Sequence, residues 1–215
     1  MLKLKKNLYG LADASYNWFQ KLSEGLEAEG FVKSEVDQCV FIRKDSVILV
    51  YVDDTIARAE DEKVLNKLVT NFKKQGYTLT DEGTLTKYLG VDVKARASGG
   101  FELTQTFLIQ RIIELLGLEG ESKHNTKPTL AGKPLLNKDE NGELRRNSWN
   151  YRQAIGMLTY LQGTTRPDIA MAVHQCARFS QDPKLLHERA VKLIGRYLLG
   201  TKDKGIYLYQ IERRD

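Results

Sequence analysis

The sequence predicts an α+β fold in which an antiparallel sheet with packed helices is followed by a mostly helical region. Short segments rich in β-branched and aromatic residues are concentrated before residue 105, where turn residues separate them. After residue 105 the apolar residues recur every three or four positions, a period that is typical of amphipathic helices. With 215 residues, 41% of them hydrophobic and 28% charged, the chain can bury the core of one large domain or two small ones.

The first predicted elements are a helix over residues 14–29 and a β-hairpin. The apolar residues of the helix recur at four-residue spacing on one face, and Gly30 follows the helix as a left-handed stop. Two β-rich runs, 39–42 and 47–52, are joined by a short polar connection. This arrangement predicts the hairpin.

A second helix and three further strands are predicted before residue 105. The helix begins at Asp61 with acidic residues that complement the helix dipole, and it ends before Gly76. Strand-like segments follow at 77–80, 88–95 and 101–104, with glycine-containing turns between them.

The second half of the chain is predicted to be helical. Four segments have helical periodicity, namely 105–116, 151–161, 169–179 and 186–199. Gly117 and Gly200 are predicted to end the first and the last of them. Residues 128–147 are rich in Lys, Asn, Gly and Pro, which predicts a surface loop or interdomain linker, and we place a domain boundary there.

The composition limits the classes of function. A formal charge of +5 and a pI near 9.0 suit a polyanionic partner, although many soluble proteins share them. Cys39 and Cys176 are far apart and have no CxxC spacing, so neither a disulfide framework nor a zinc site is indicated. No apolar run reaches the roughly 18 residues that cross a bilayer, so we expect no membrane partner.

Two adjacent carboxylates, Asp53 and Asp54, stand at the end of the apolar run VILVYV. Because neighbouring side chains on a strand point to opposite faces, two buried acids in sequence would leave at least one charge without water or a partner. The pair is therefore predicted to lie at a hairpin tip. Carboxylates at a tip are either solvated turn residues or oxygen ligands for Mg²⁺, and a metal site needs at least one more acid from elsewhere.

The segment Tyr51-Val52-Asp53-Asp54 resembles the aromatic-apolar-Asp-Asp box of reverse transcriptases. Five further segments resemble copia-type retrotransposon polymerases and occur in that family's order: LKLKKNLYGL (2–11) with the following Trp18-Phe19, GFVKSEVDQCVF (30–41), KYLGV (87–91), TRPDIA (165–170) and RYLLGT (196–201). Together these segments extend over nearly the whole chain, so a chance match is a poor explanation.

The resemblance implies a right-hand polymerase fold divided into four segments. These are a partial palm with the YVDD hairpin over 1–104, a thumb-like helical segment over 105–127, a loop or linker over 128–149, and a helical connection region over 150–215 that leads toward an absent ribonuclease H domain.

The function that the resemblance implies is that of a retrotransposon reverse transcriptase. Such an RNA-directed DNA polymerase is a nucleotidyltransferase that works with two Mg²⁺ ions. Its partners would be an RNA or DNA template with a primer, deoxynucleoside triphosphates and the remainder of a polyprotein. The expected location is intracellular, either cytoplasmic in particles or nuclear.

The resemblance also implies three sets of site residues. The catalytic residues and Mg²⁺ ligands are Asp53 and Asp54, of which Asp53 is the more direct ligand. The vicinity of the nucleotide or template contains Tyr51, Val52 and Asp13. A primer-grip-like turn contains Tyr88, Leu89 and Gly90.

Structural alternatives stay open at several positions. Tyr51 and Val52 can be strand residues that pack in the sheet, and residues 88–90 can form a strand bulge. Asp13 can be the N-cap of the first helix. Arg166 either binds phosphate or belongs to a helix start at Pro-Asp, and we favour the helix start. The histidines have no ligand spacing and are expected to be structural.

The sequence departs from the family in two respects. The family's first catalytic Asp lies upstream of the LYGL segment, on a strand that this sequence lacks together with the fingers, so we expect the chain to be inactive alone. Asp13 stands where the family usually has Gln, and an ionised carboxylate accepts hydrogen bonds but does not donate them. The alternative function is a non-catalytic nucleic-acid-binding remnant or adaptor.

Overall fold

The computed structural model describes residues 10–11, 13–97, 99–122, 124–129, 136–146 and 149–209. The chain divides into two compact units, Met1–Thr84 and Leu85–Asp215. Each unit contains a four-stranded antiparallel sheet and α-helices, so the predicted α+β class is confirmed. Within the described ranges, every helix is too short or too polar to span a bilayer.

The first unit contains, in chain order, α1 Ala14–Ala28, β1 Val32–Lys33, β2 Val40–Arg43, β3 Ser46–Tyr51, β4 Asp54–Ala59 and α2 Glu62–Lys74. Its strands pair in the order β1-β2-β3-β4. The two predicted helices and the predicted hairpin are confirmed. Both helices are followed by a glycine with positive φ, Gly30 at +84° and Gly76 at +88°, as the stop signals predicted.

One face of this sheet forms the core of the first unit. Along β3, Ile48 and Val50 are buried whereas Leu49 and Tyr51 are exposed, which is the alternation of a half-buried strand. The core cluster consists of Leu22, Leu26, Phe31, Phe41, Ile48, Val50, Leu68, Phe72 and Tyr77. At the start of α2, the carboxylate of Asp61 accepts a hydrogen bond of 2.9 Å from the Lys63 amide, which caps the helix.

The strand predicted over 77–80 is wrong, because this segment has an irregular backbone. The ring of Tyr77 packs on Phe72 with 4.9 Å between the ring centroids. Its hydroxyl donates a hydrogen bond of 2.6 Å to the Lys21 carbonyl on α1. The β-rich composition of the segment therefore reflects a buried aromatic held between two helices rather than a place in a sheet.

The second unit contains β5 Lys87–Tyr88, β6 Val91–Ala95, β7 Phe101–Thr104, α3 Thr106–Leu115, α4 Tyr151–Thr164, α5 Ala170–Ala177, α6 Leu185–Leu199 and β8 Ile206–Leu208. A 3₁₀ turn over Pro167–Ile169 leads into α5. The sheet has the order β5-β6-β7-β8. All four predicted helices are confirmed, whereas the predicted strand over 88–95 is interrupted by a turn at residues 89–90.

The four helices of the second unit enclose one apolar core. Its fully buried residues include Ile109, Ile112, Leu158, Leu161, Ile169, Val173, Val191, Ile194 and Leu198. Gly117 follows α3 with a φ of +65°, as predicted. Gly200 has a φ of −80° and is not a left-handed stop. A Cβ there would lie 2.8 Å from the Cβ of His124, so the glycine permits a close approach instead.

The two units divide after Thr84, and the division into segments ending at residues 104, 127 and 149 stays a prediction. Strand β8 pairs with β7, and this pairing joins the last strand to the hairpin that precedes α3. Within the predicted loop, the described residues 136–146 contact the helical core, because Leu136 is 7% exposed and the carbonyl of Asn137 lies 2.8 Å from Nε2 of His187. The names palm, thumb and connection stay predictions.

Candidate active site

The two adjacent carboxylates lie where β3 turns into β4. Tyr51 pairs with Asp54 across the hairpin, so Val52 and Asp53 are the two residues of the turn. Both aspartates are exposed. The predicted hairpin tip is confirmed, with Asp53 in the turn and Asp54 as the first residue of β4, paired with Tyr51.

Val52 has an unfavourable backbone conformation in the turn. Its φ is +53°, a region that β-branched residues rarely adopt because Cβ crowds the backbone. A positive φ at the first turn position is the pattern of a type II′ turn, whose twist matches that of the flanking strands. The side chain is 62% exposed, so burial does not offset a strain of about 1–3 kcal/mol.

Trp18 on α1 holds this turn through a hydrogen bond. Its Nε1–H donates to the Val52 carbonyl oxygen at 3.0 Å. The indole also packs edge-on against Tyr77, with ring centroids 6.2 Å apart. The helix therefore fixes the residue that immediately precedes Asp53.

The other residues predicted near this site have separate positions. Tyr51, at the end of β3, is 56% exposed, so it is not a core residue. Asp13 occupies the N-cap position of α1, but its carboxylate makes no capping hydrogen bond with the described residues. The alternative that Asp13 is the N-cap residue of the first helix is confirmed by this position.

The doublet supplies part of the donor set that a divalent ion needs. Hard ions such as Mg²⁺ take carboxylate oxygens as ligands, and Asp53 in the turn and Asp54 at the start of β4 supply two exposed carboxylates. In the ranges that the structure describes, no group of three or more His, Cys, Asp or Glu side chains could hold a metal ion. The residues present thus fit one portion of such a site and do not complete it.

Residues 88–90 form the turn of the β5–β6 hairpin in the second unit, where Tyr88 pairs with Val91. Leu89 and Gly90 have φ values of +48° and +76°, the pattern of a type I′ turn. The segment is therefore a tight turn and not a strand bulge. The hydroxyl of Tyr160 on α4 donates a hydrogen bond of 2.6 Å to the Leu89 carbonyl.

Arg166 has a structural role in the second unit. The side chain is 1% exposed. Its guanidinium donates to both carboxylate oxygens of Asp168 at 3.0 and 2.8 Å, and to the carbonyl and hydroxyl of Thr201, each at 2.8 Å. Tyr197 donates to Asp168 at 2.7 Å. These bonds join the TRPDIA and RYLLGT segments and support the helix-start interpretation over phosphate binding.

His187 is also structural. It is completely buried and stacks on Phe179 with 4.1 Å between the ring centroids. Its Nδ1 accepts a hydrogen bond from the Lys184 amide at 2.9 Å, so the proton is on Nε2, which faces the Asn137 carbonyl. The expectation of a structural histidine is confirmed at this position.

Sequence patterns did not identify the donors that hold the two turns. Trp18 was visible as an apolar residue of the first helix and as part of a family-like segment, and its partner lies 34 residues away. Tyr160 had no motif around it, and its partner lies 71 residues away. Neither contact has a local signal, because both depend on how a helix packs beside a hairpin.

Comparison with known proteins identifies the family. Residues 1–131 match the family described as reverse transcriptase (RNA-dependent DNA polymerase). The chain is 34% identical over 215 residues to the retrovirus-related Pol polyprotein from transposon TNT 1-94 of Nicotiana tabacum, a match that includes 93% of this chain and 16% of the relative. It is 35% identical over 212 residues to the retrovirus-related Pol polyprotein from transposon RE1 of Arabidopsis thaliana, covering 96% of this chain and 14% of that protein.

A more distant relative is the transposon Ty1-ER2 Gag-Pol polyprotein of Saccharomyces cerevisiae, which is 25% identical over 220 residues, with 96% of this chain and 12% of the relative aligned. No solved structure matches the chain. The chain spans less than a fifth of the length of these polyproteins. The matched family, the Pol polyprotein relatives and the YVDD hairpin agree, and the chain therefore belongs to the reverse transcriptase family as a copia-type fragment.

Proposed function

We propose that this chain is the part of a retrotransposon reverse transcriptase that supplies two carboxylates for RNA-directed DNA synthesis. The observation that carries the proposal is the position of Asp53 and Asp54. Asp53 is the second residue of an exposed two-residue turn and Asp54 is the first residue of β4, both within a family-like YVDD segment, and a helix holds the turn through Trp18. Carboxylates on a rigid hairpin suit metal ligation, because their oxygens are fixed in space before the ion binds.

The chain's own residues would orient the carboxylates rather than complete the site. Bound Mg²⁺ supplies activation of the attacking hydroxyl and neutralisation of charge on the transferred phosphate. Asp53 is the expected direct ligand, with Asp54 beside it at the start of β4. Trp18 fixes the Val52 carbonyl and so limits the directions that the Asp53 side chain can take.

The remaining ligand is expected from another part of the polyprotein. Strand β4 is at one edge of the first sheet as the structure describes it, and an edge strand can pair with an additional strand. We propose that a preceding segment with a further carboxylate pairs there. The isolated chain should then have negligible polymerase activity, because the ligands of such a site act as a unit.

The proposed substrates are a primer on an RNA or DNA template and deoxynucleoside triphosphates. Tyr51 and Val52 are exposed beside Asp53 and are proposed to lie near the nucleotide or template, with Asp13 a weaker candidate. The turn of Tyr88, Leu89 and Gly90 is proposed as the primer grip. As a retrotransposon enzyme, the protein would act in cytoplasmic particles or in the nucleus.

A chimeric polymerase tests this proposal. Residues 1–215 replace the matching segment of the transposon RE1 Pol polyprotein, and primer extension on an RNA template is measured with Mg²⁺. We expect extension by the chimera, a loss of at least about a hundredfold with Asp53→Asn or Asp54→Asn, and full activity with Glu35→Gln. Glu35 is an exposed loop acid and controls for the removal of one charge. A chimera whose extension survives Asp53→Asn would contradict the proposal.

A further inference from the structure

The sheet of the second unit has an exposed face on which tyrosines and basic residues lie together. The register pairs Lys94 with Glu102 and Glu102 with Tyr207, so these three side chains form one row across β6, β7 and β8. Arg96 follows Lys94 by two residues and Tyr209 follows Tyr207 by two residues. Both therefore belong to the same face. We name the group formed by Lys94, Arg96, Tyr207 and Tyr209 the aromatic face.

Contacts within the sheet fix the rings of the aromatic face. The guanidinium carbon of Arg96 lies 4.5 Å from the centroid of the Tyr207 ring. The Tyr207 hydroxyl donates a hydrogen bond of 3.2 Å to the Glu102 carboxylate. The centroids of Tyr207 and Tyr209 are 6.4 Å apart, with 35° between the ring planes. The two rings are therefore held in position and still accessible, being 45% and 61% exposed.

Two glycines allow β8 to lie closely against the sheet. A Cβ at Gly205 would collide with the Leu103 carbonyl oxygen, and a Cβ at Gly100 would collide with the Leu208 carbonyl oxygen. The Gly100 carbonyl also accepts a hydrogen bond of 3.1 Å from the Arg96 amide. Gly100 adds no side chain between Arg96 and Tyr209.

The charge of this face favours a polyanion. Exposed cations on the face are Lys87, Lys94 and Arg96, against two partly buried acids, Asp92 and Glu102. Glu102 already accepts the hydrogen bond of Tyr207. The chain as a whole carries a formal charge of +5, so phosphate groups would be attracted both locally and at longer range.

We propose that the aromatic face binds single-stranded nucleic acid, with bases stacked on Tyr207 and Tyr209 and phosphates beside Lys94 and Arg96. Alternate residues on one strand are about 6.6 Å apart, so the two rings can receive separate bases. Stacking on aromatic rings requires unpaired bases and tolerates any sequence. The inference rests on the proposed function, since it names a face on which the same enzyme fragment holds a single strand of nucleic acid.

Binding of a fluorescein-labelled oligo(dT) and of oligo(U) to the full chain tests the proposal by fluorescence anisotropy at several salt concentrations. The variants are Tyr207→Leu with Tyr209→Leu, the corresponding double change to Phe, and Arg96→Ala. Tyr16→Leu is the matched control, because Tyr16 is 64% exposed and lies on α1. Far-UV circular dichroism checks that each variant is folded.

We expect the double Leu variant to raise Kd at least about fivefold for each ring, while the double Phe variant and Tyr16→Leu bind as the native chain does. The slope of log Kd against log salt should stay unchanged in the Leu variant, because no charge is lost. Arg96→Ala should reduce that slope by about 0.7. A higher Kd with an unchanged salt slope indicates lost stacking, and a smaller slope indicates a lost charge contact. A changed circular dichroism spectrum indicates general loss of structure.

Four results would overturn the proposal: no binding of either oligonucleotide, equal affinity in the double Leu variant, equal loss in the double Phe variant, or a preference for blunt duplex over single strand. A change from dimer to monomer in the Leu variant would also overturn it, since the face would then join two copies of the chain. The double Leu variant leaves Asp53 and Asp54 in place, so failure here is distinguishable from failure of the polymerase proposal.

Discussion

The Nε1–H of Trp18 donates a 3.0 Å hydrogen bond to the carbonyl oxygen of Val52, so that α1 holds the turn that carries Asp53. A similar contact occurs in the second unit, where the Tyr160 hydroxyl donates to the Leu89 carbonyl at 2.6 Å. In each case the acceptor belongs to a non-glycine residue with a positive φ. An aromatic donor on a helix thus stabilises the least favourable residue of each family-like turn.

Replacing Trp18 with Phe should destabilise the first unit and loosen the turn. The substitution keeps an aromatic ring against Tyr77 but removes the donor to Val52, which should cost about 0.5–1.5 kcal/mol. Urea denaturation followed by far-UV circular dichroism measures the loss, and amide hydrogen exchange at Asp53 and Asp54 reports on the turn.

Trp149→Phe is the matched control for that change. The Nε1 of Trp149 is buried and has no hydrogen-bond partner among the residues the structure describes, so its removal should cost less. Equal losses in the two variants, with unchanged exchange at the turn, would show that the Trp18 hydrogen bond does not stabilise the hairpin.

Val52→Gly should be tolerated far better than glycine elsewhere in the same hairpin. Glycine adopts positive φ without steric cost, and this relief offsets the entropy that glycine adds to the unfolded chain. Thr55→Gly lies on β4 and gains no such relief. We expect Val52→Gly to exceed Thr55→Gly by about 1 kcal/mol or more in free energy of unfolding, measured by urea denaturation. The reverse order would contradict the strained turn.

Patterns in the sequence predicted the helices well because each helix buries one face. The spacing of apolar residues in α1, and the acidic start of α2 with Asp61 as cap, are local signals. The position of Asp53 and Asp54 at a hairpin tip was predictable too, because charge cannot follow an apolar strand into the core. Long-range pairing was not predictable: β8 joins β7 across about a hundred residues of helix and loop.

Arg166→Lys should strongly destabilise the second unit. A lysine cannot reproduce the planar fork that donates to Asp168 and Thr201 together. Arg166 is buried but Asp168 is partly exposed, so the loss is expected from the hydrogen bonds, at about 1–3 kcal/mol for a buried polar group left without a partner. Arg152→Lys is the control, because Arg152 is exposed and its bond among the described residues is to the Ser180 carbonyl. Similar small losses in both variants would contradict the structural role of Arg166.

The same network predicts a dependence of stability on acid pH. Burial by itself raises the pKa of Asp168, but hydrogen bonds from Arg166 and Tyr197 outweigh it and hold the pKa below its usual range. A carboxyl whose folded pKa is depressed contributes stability that is complete above its unfolded pKa of about 3.9 and is lost as pH falls through the folded value.

Asp168→Asn should therefore lower the free energy of unfolding at neutral pH and reduce its decline below about pH 4. Glu140→Gln should leave that decline nearly unchanged, since the ion pair of Glu140 with Lys138 is largely exposed. Denaturant titrations at a series of pH values measure both effects. An Asn variant with the same acid dependence as the native chain would exclude Asp168 as its source.

The sequence left Arg166 with two interpretations because Thr-Arg-Pro-Asp alone does not show what lies opposite the guanidinium. The partner, Thr201, is 35 residues away and becomes visible only when α6 packs beside the Pro167–Ile169 turn. The conformation of Val52 had no sequence signal either, since a β-branched residue normally argues against positive φ.

The most direct measurement of the role of Asp53 and Asp54 uses Mn²⁺ in place of Mg²⁺, with Trp18 as a built-in reporter. Its indole N–H donates a hydrogen bond to the carbonyl of Val52, which precedes Asp53. A paramagnetic ion at the doublet should therefore broaden the indole N–H resonance of Trp18 in a ¹⁵N-labelled sample. We predict broadening of the Trp18 signal by Mn²⁺ in the native chain and in Glu35→Gln, and its loss in the Asp53→Asn, Asp54→Asn double variant. A Trp18 signal that stays sharp in the native chain, or that broadens equally in the double variant, would contradict the assignment of these carboxylates as metal ligands.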